Sequence, residues 1–184
     1  RIKLQLAFIK DKEISEKLSD DVNEMEKMLN EYLQFASSRS TEKTETFDLS
    51  ELLIDTINKY EKKEIISNIP VRVYLDGRKN LIKRCIQNLT DNSIKYSKNI
   101  TVSLKKLESS VTITFDDDGP GIPKSERENV LKPFYKINKS RGDSKSSVGL
   151  GLSIASDIVR SHGGNLKLEN SPKNGLRVMI FLPF

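Results

Sequence analysis

The chain has 184 residues, 36% of them hydrophobic and 31% charged, with a formal net charge of +5. That is enough for one ordinary domain plus a smaller appendage; no run approaches the roughly 18 consecutive apolar residues of a membrane span, and no secretion signature opens the chain. One cysteine, Cys85, and one histidine, His162, exclude an internal disulfide and an intramolecular zinc site of the Cys/His kind.

Residues 1–36 read as helix. Leu18, Val22, Met25, Leu29, Tyr32 and Ala36 recur at spacings of 4, 3, 4, 3 and 4, the heptad seam of a coiled coil or helical bundle. Ile2, Leu6 and Ile9 begin a similar row, which Lys10-Asp11-Lys12 interrupts. The pattern predicts an antiparallel helix hairpin over residues 1–38, its first arm cut short at Arg1; a single long helix packed on its own domain is the alternative. Dimerisation into four helices would bury such a seam. Residues 37–46 carry no apolar side chain and read as a linker, which sets the borders at 39–47 for the linker and 48–184 for the domain that follows.

From Phe47 the pattern becomes mixed. Asp48 or Ser50 caps a predicted helix over about 50–61, and Val71-Arg72-Val73-Tyr74-Leu75 alternates as a strand. Asp76-Gly77 turns into a helix over about 78–97. Strands follow near 99–107 and 110–117, joined around Glu108-Ser109. A loose, basic, Ser-rich stretch runs to about 147, then a helix over about 150–161 that ends at His162-Gly163-Gly164. Strands near 165–170 and 176–182 turn around Lys173-Asn174-Gly175. These elements predict an α+β fold: a two-layer sandwich of one mixed sheet with helices on one face.

Three segments carry chemistry. On the helix 78–97, Asn88, Asn92, Lys95 and Tyr96 fall on one arc and continue the row begun by Leu81 and Cys85. Inward amides must be satisfied by protein, by water or by a ligand carrying metal and phosphates. On the strand 110–117, Val111, Ile113, Phe115 and Asp117 share the core face, so Asp117 is an inward carboxylate that needs donors; Asp116 and Asp118 read as outward, solvated charges. Gly149-Leu150-Gly151-Leu152 opens a helix, a place where backbone amides meet anions. Just ahead of it lie Lys132, Lys136, Lys139, Arg141 and Lys145 against a single acid, Asp143. Neither a Walker loop nor a dinucleotide fingerprint is present, and no base-reading motif accompanies the charge, so nucleic acid is not an expected partner.

Taken in order, Asn88-x-x-x-Asn92 with Lys95-Tyr96, Asp117-x-Gly119-x-Gly121, Phe134 and Gly149-x-Gly151 resemble the asparagine, first glycine, phenylalanine and second glycine boxes of sensor histidine kinases, and the domain resembles the GHKL (Bergerat) ATP-binding fold. The run Arg1-Ile2-Lys3-Leu4, the hairpin, the linker and Pro133-Phe134 look closest to EnvZ-type osmosensing kinases. The resemblance implies ATP and Mg²⁺ as ligands. Asn92 would ligate the metal with Asn88 assisting. Lys95 and Tyr96 would meet phosphates or ribose, and Asp117 would accept from the adenine amino group. Gly119 and Gly121, with Ile122 beside them, would let the adenine pack close. Residues from about 122 to 148 look like the mobile ATP lid, with Phe134 in it and Lys136, Lys139 and Arg141 as phosphate cations. Gly149 and Gly151, with Leu150 and Leu152, would bring backbone amides to the phosphates. Two positions depart from the pattern: Ser147 where glycine is frequent, and Ser93 where alanine is frequent.

The resemblance also implies a homodimer through the hairpin, a response regulator as phosphoryl recipient (OmpR-like if the EnvZ likeness holds), and a cytoplasmic place within a bacterial inner-membrane sensor. The resemblance also implies an acceptor histidine in a box that ends just before Arg1; His162, which stands before Gly163-Gly164 at a helix end, reads as a cap. On this reading the 184 residues bind ATP without phosphorylating themselves, and no catalytic side chain is among them. Two rivals remain. A GHKL ATPase of the gyrase or MutL type uses a glutamate at the position of Asn88, which cannot act as a base. A non-catalytic dimerising module would carry a degenerate nucleotide site.

Overall fold

The computed structural model describes residues 12–60, 65–137 and 149–184. The first helix, α1, is Lys12–Thr41. It runs through the polar stretch expected as linker, because Ser, Arg and Thr offer no Gly or Pro to stop a helix already nucleated. Residues 42–44 alone are irregular before strand β1, Glu45–Asp48. Ile14, Leu18, Met25, Leu29 and Leu33 on α1 are 39–64% exposed, so of the seam Leu18, Met25 and Leu29 lie at the surface. The first arm of the expected hairpin falls outside the described residues.

The sheet that holds the site has five strands. β2 (Ile65–Asn68), β4 (Ile100–Lys106), β5 (Ser110–Asp117), β6 (Asn165–Asn170) and β7 (Leu176–Pro183) lie in the order β2-β4-β5-β7-β6. β2 runs parallel to β4, and the other neighbours are antiparallel, so the sheet is mixed. Alternation sends Ile100, Val102 and Leu104, then Val111, Ile113 and Phe115, then Val178, Ile180 and Leu182, into one core. Against them pack α3 (Lys79–Tyr96) and α4 (Gly151–Ser161), which also pack on each other, with α2 (Leu49–Ile57) on α3. Cys85, on the inward row of α3, donates to the Ala155 carbonyl of α4 at 3.8 Å, and burial pushes its thiol up to about 12.

A separate two-stranded ribbon joins β1 to β3 (Tyr74–Gly77), with Phe47 opposite Leu75 and both buried. Asp48 caps α2 by accepting from Ser50 and Glu51 amides at 2.9 and 3.2 Å. The strand expected over 71–75 starts only at Tyr74: Val71 is 83% exposed and Arg72 has φ +58°, which breaks the alternation. β1 and β2 were not foreseen. Each has four residues with one or two apolar side chains, too few to show a period of two.

Candidate nucleotide site

The arc on α3 is built as its sequence dictates. Leu81, Cys85 and Leu89 are buried, Asn88 and Asn92 are half-buried, and Lys95 and Tyr96 are exposed at the helix end, with the Lys95 ammonium 5.0 Å from the Tyr96 ring centroid. The amide nitrogen of Asn88 is buried and makes no hydrogen bond. A buried donor left unpaired costs about 1–3 kcal/mol, so this atom calls for an oxygen from water or from a ligand.

Both ends of the arc touch a glycine segment. At its start, Gly151 opens α4 beside α3, where an added Cβ would rest in ordinary contact with Asn88, 3.8 Å from its carbonyl oxygen. The N-cap of α4, Leu150, makes no side-chain cap bond, so the first-turn amides are not taken by a cap. At its end, Gly119 lies on the α3 terminus: a Cβ there would be 2.7 Å from the Tyr96 carbonyl oxygen. One helical arc thus connects the glycine turn after β5 to the glycine turn before α4. Asn92 lies one turn, roughly 6 Å of helix rise, before Tyr96. A hollow of about 430 Å³ opens at the Asn88 end, lined by Tyr60, Arg84, Gln87, Asn88, Asp91, Gly151 and Ile154. Asn92 and Asp117 are not part of that lining. Tyr60 donates to Asp91 at 2.7 Å, and burial together with that carboxylate pushes its phenol well up.

Asp117 ends β5 facing inward as expected and is 4% exposed. Its Oδ1 accepts from the Gly119 and Leu176 amides, both at 2.9 Å. These two protein donors supply what an inward carboxylate needs, and Oδ2 is the oxygen left to meet a ligand. Its neighbours are not loose solvated charges. Asp116 is 9% exposed and forms a two-pronged ion pair with Arg177 at 2.7 and 2.8 Å. Asp118 accepts from the Lys98 and Asn99 amides and from the Asn99 side chain, and the Asn99 donors, with Lys98, hold its carboxyl down to about 2. Gly175 and Leu176, read in the sequence only as a turn and a strand start, also belong here. Nothing in sequence spacing signals that a hairpin turn 58 residues further on packs against Asp117.

The lid segment divides. Residues 122–137 have defined structure: Lys124–Glu126 and Asn129–Leu131 form 3₁₀ turns, Val130 is buried, and the Arg127 guanidinium donates to the Ile122 carbonyl and to Asn170. Tyr135 donates to Glu126, whose carboxylate pushes the phenol up. This part is tied down rather than loose, because Arg127 and Tyr135 anchor it. Phe134 is 54% exposed with φ +65°, and its amide donates to the Gly149 carbonyl at 3.0 Å. Gly149 has φ +77°, and a Cβ there would stand 2.9 Å from the Tyr135 carbonyl, so glycine is required to close the base of the segment. Lys136 is half-buried beside this closure; Lys139, Arg141 and Ser147 lie outside the described residues. Gly121 abuts the Gly175 carbonyl, so its lack of a side chain serves the protein's own packing. Ile122 and Leu152 pack against the core and Leu150 is 2% exposed, which leaves backbone rather than side chain to meet a ligand at Leu150. Ser93 is buried, and its carbonyl accepts from the Ser97 amide and hydroxyl.

His162 is the C-cap of α4. Its Nδ1–H donates to the Ile158 carbonyl at 2.7 Å, and its Nε2 accepts from the Arg78 amide at 3.1 Å. Both ring nitrogens are engaged, and burial shifts the imidazole below its ordinary value of 6.5.

The model of the histidine kinase-, DNA gyrase B-, and HSP90-like ATPases matches residues 77–184, the stretch that holds the asparagine row, Asp117 and both glycine turns. The chain belongs to this family. Sensor histidine kinase GtrS of Pseudomonas aeruginosa is 33% identical over 187 residues, taking in 100% of this chain and 38% of GtrS. Sensor histidine kinase CpxA of Escherichia coli K12 is 31% identical over 180 residues, 91% of this chain and 39% of CpxA. The chain therefore spans well under half the length of these relatives. Among solved structures, a nucleotide-free form of the catalytic domain of histidine kinase ThkA matches with a TM-score of 0.68 at 23% identity, covering 77% of this chain and 95% of that one. The fold is that of histidine kinase catalytic domains, and the unit is an ATP-binding domain of the histidine kinase type. Among the described residues, no helix is long and apolar enough to cross a membrane.

Proposed function

We propose that this domain binds ATP with Mg²⁺ and, within a longer sensor histidine kinase, presents the γ-phosphoryl group to a histidine, from which it passes to an aspartate on a response regulator. The observation that carries the reading is the Asn88-to-Tyr96 arc, bounded by Gly151 and Gly119 and holding one buried, unpaired amide nitrogen. The donor set fits the ion: side-chain amide oxygens are hard ligands, and Mg²⁺ keeps several waters, so one or two protein ligands suffice. Asn92 would hold the metal with Asn88 assisting; once bound, the ion neutralises phosphate charge. Asp117 Oδ2 would accept from the adenine amino group, while Lys95 and Tyr96 reach phosphates or ribose. The first-turn amides of α4 and Lys136, with Lys139 and Arg141 from the undescribed segment, would stabilise the phosphates. Catalysis by such a domain is positioning and charge stabilisation, which needs no base among its own side chains.

His162 is not the acceptor in this scheme, since its two ring nitrogens are committed to Ile158 and Arg78. The exposed apolar face of α1 supports dimerisation of the parent through a helical bundle. The EnvZ subtype, an OmpR-like regulator and a cytoplasmic place in a membrane-bound sensor rest on the sequence resemblance. An ATPase of the gyrase type is disfavoured by Asn88, which offers an amide where a base is needed.

Calorimetric titration of ATP with and without Mg²⁺ tests the proposal. Wild type is expected to bind ATP more tightly with the ion, and Asn92→Ala to lose most of that increment. No Mg²⁺-dependent affinity in the wild type would overturn it.

A further inference from the structure

We infer that Asp118 is a positioning residue: it clasps the chain leaving α3 and so sets the spacing between Asp117 and the asparagine row. The inference rests on the reading that the site takes ATP with Mg²⁺.

Asp117 stands at the end of a strand and Asn92 on a helix, so nothing in either element alone fixes their separation. The two elements meet where α3 ends. Ser97 is the C-cap, and the next two residues, Lys98 and Asn99, donate their amides to Asp118 Oδ1, both at 2.9 Å. The Asn99 side chain donates to Oδ2 at 2.6 Å. Directly after Asp118 comes Gly119, seated on the Tyr96 carbonyl. The β4–β5 ladder begins one residue after Asn99, pairing Ile100 with Asp117. One side chain adjacent to Asp117 therefore gathers three donors from the segment that connects α3 to the sheet. It joins the helix carrying Asn88 and Asn92 to the strand end carrying Asp117.

A ligand anchored at both ends needs that spacing held; misplacement of about 1 Å can cost 10²-fold in a positioned site. ATP with Mg²⁺ would engage Asp117 at the base and Asn92 at the metal, whereas adenosine would engage the Asp117 end alone. Loosening the clasp therefore weakens the first ligand far more than the second. A residue that merely stabilised the fold would weaken both alike.

The test compares Asp118→Ala and Asp118→Asn with wild type, titrating ATP with Mg²⁺ by calorimetry and adenosine by NMR shift, and reading hydrogen exchange at the Lys98 and Asn99 amides. The Asn side chain keeps an oxygen that accepts from both amides, and its NH₂ donates to the Asn99 side-chain oxygen once that amide turns over; Ala keeps neither. Asp118→Ala is expected to bind ATP with Mg²⁺ about tenfold more weakly, adenosine within about twofold, and to exchange faster at both amides, while Asp118→Asn stays within about twofold for both ligands. Wild-type affinity for ATP with Mg²⁺ in Asp118→Ala, an equal loss for both ligands, or an Asp118→Asn variant as weak as Asp118→Ala would each overturn the inference. A wild type without affinity for ATP with Mg²⁺ would overturn the functional reading itself, a separate and distinguishable result.

Discussion

Gly175 lies against Asp117 so closely that a Cβ on it would collide with the Asp117 carbonyl oxygen, with its carboxylate Oδ1 and with the Gly119 amide. The contact lets the turn between β6 and β7 deliver the Leu176 amide to Oδ1, and so orients the other carboxylate oxygen. Gly175→Ala must push the turn and Asp117 apart. It is expected to destabilise the domain by about 1–3 kcal/mol, as overpacking does, and to weaken ATP binding at least tenfold. Thermal unfolding and calorimetry together check this; an unshifted melting temperature with unshifted affinity would refute the contact.

Asp117→Asn keeps an oxygen that accepts from Gly119 and Leu176, so the fold should persist. The oxygen offered to the ligand then becomes an NH₂ group, which faces the adenine amino group donor to donor. Preference for ATP over GTP is expected to fall at least tenfold, since a base-reading group left mispaired costs more than a missing contact. Competition binding measures it, and an unchanged preference would remove Asp117 from adenine recognition.

His162 predicts a pH dependence of stability. Its folded value lies below 6.5, so the unfolded chain takes up the proton first as pH falls. The contribution is complete above about 6.5 and declines as pH drops through the folded value. Protonated Nε2 could no longer accept from the Arg78 amide, which ties α4 to the start of α3. The fall in melting temperature between pH 7 and 5 is expected to be smaller in His162→Phe than in wild type, even if that variant is less stable throughout. Parallel curves would count against the assignment.

Glu42 follows α1 directly and caps α3: its carboxylate accepts from the Asn80 and Leu81 amides at 2.6 and 3.2 Å. Carboxylates at a helix N-terminus satisfy orphan donors and favour the dipole. Glu42→Ala is expected to cost about 0.5–2 kcal/mol and to speed hydrogen exchange at Asn80 and Leu81. Protection unchanged at those two amides would show that the cap contributes nothing.

Patterned segments told their story from sequence alone. The 3.6-residue period of α3 turned from Leu81 and Cys85 to Asn88 and Asn92, and the two-residue period of β5 placed Asp117 inward; both hold in the fold. Such periods are local, since neighbours along the chain fix which face a side chain takes. Only the tertiary structure decided what those faces meet. It brought Gly175 to Asp117, Gly119 to Tyr96 and Gly151 to Asn88, and it turned Asp116 and Asp118 from apparent surface charges into an ion pair and a clasp. Glycine carries no periodic signal, and a carboxylate's partners arrive from strands and turns far along the chain, so packing alone reveals them.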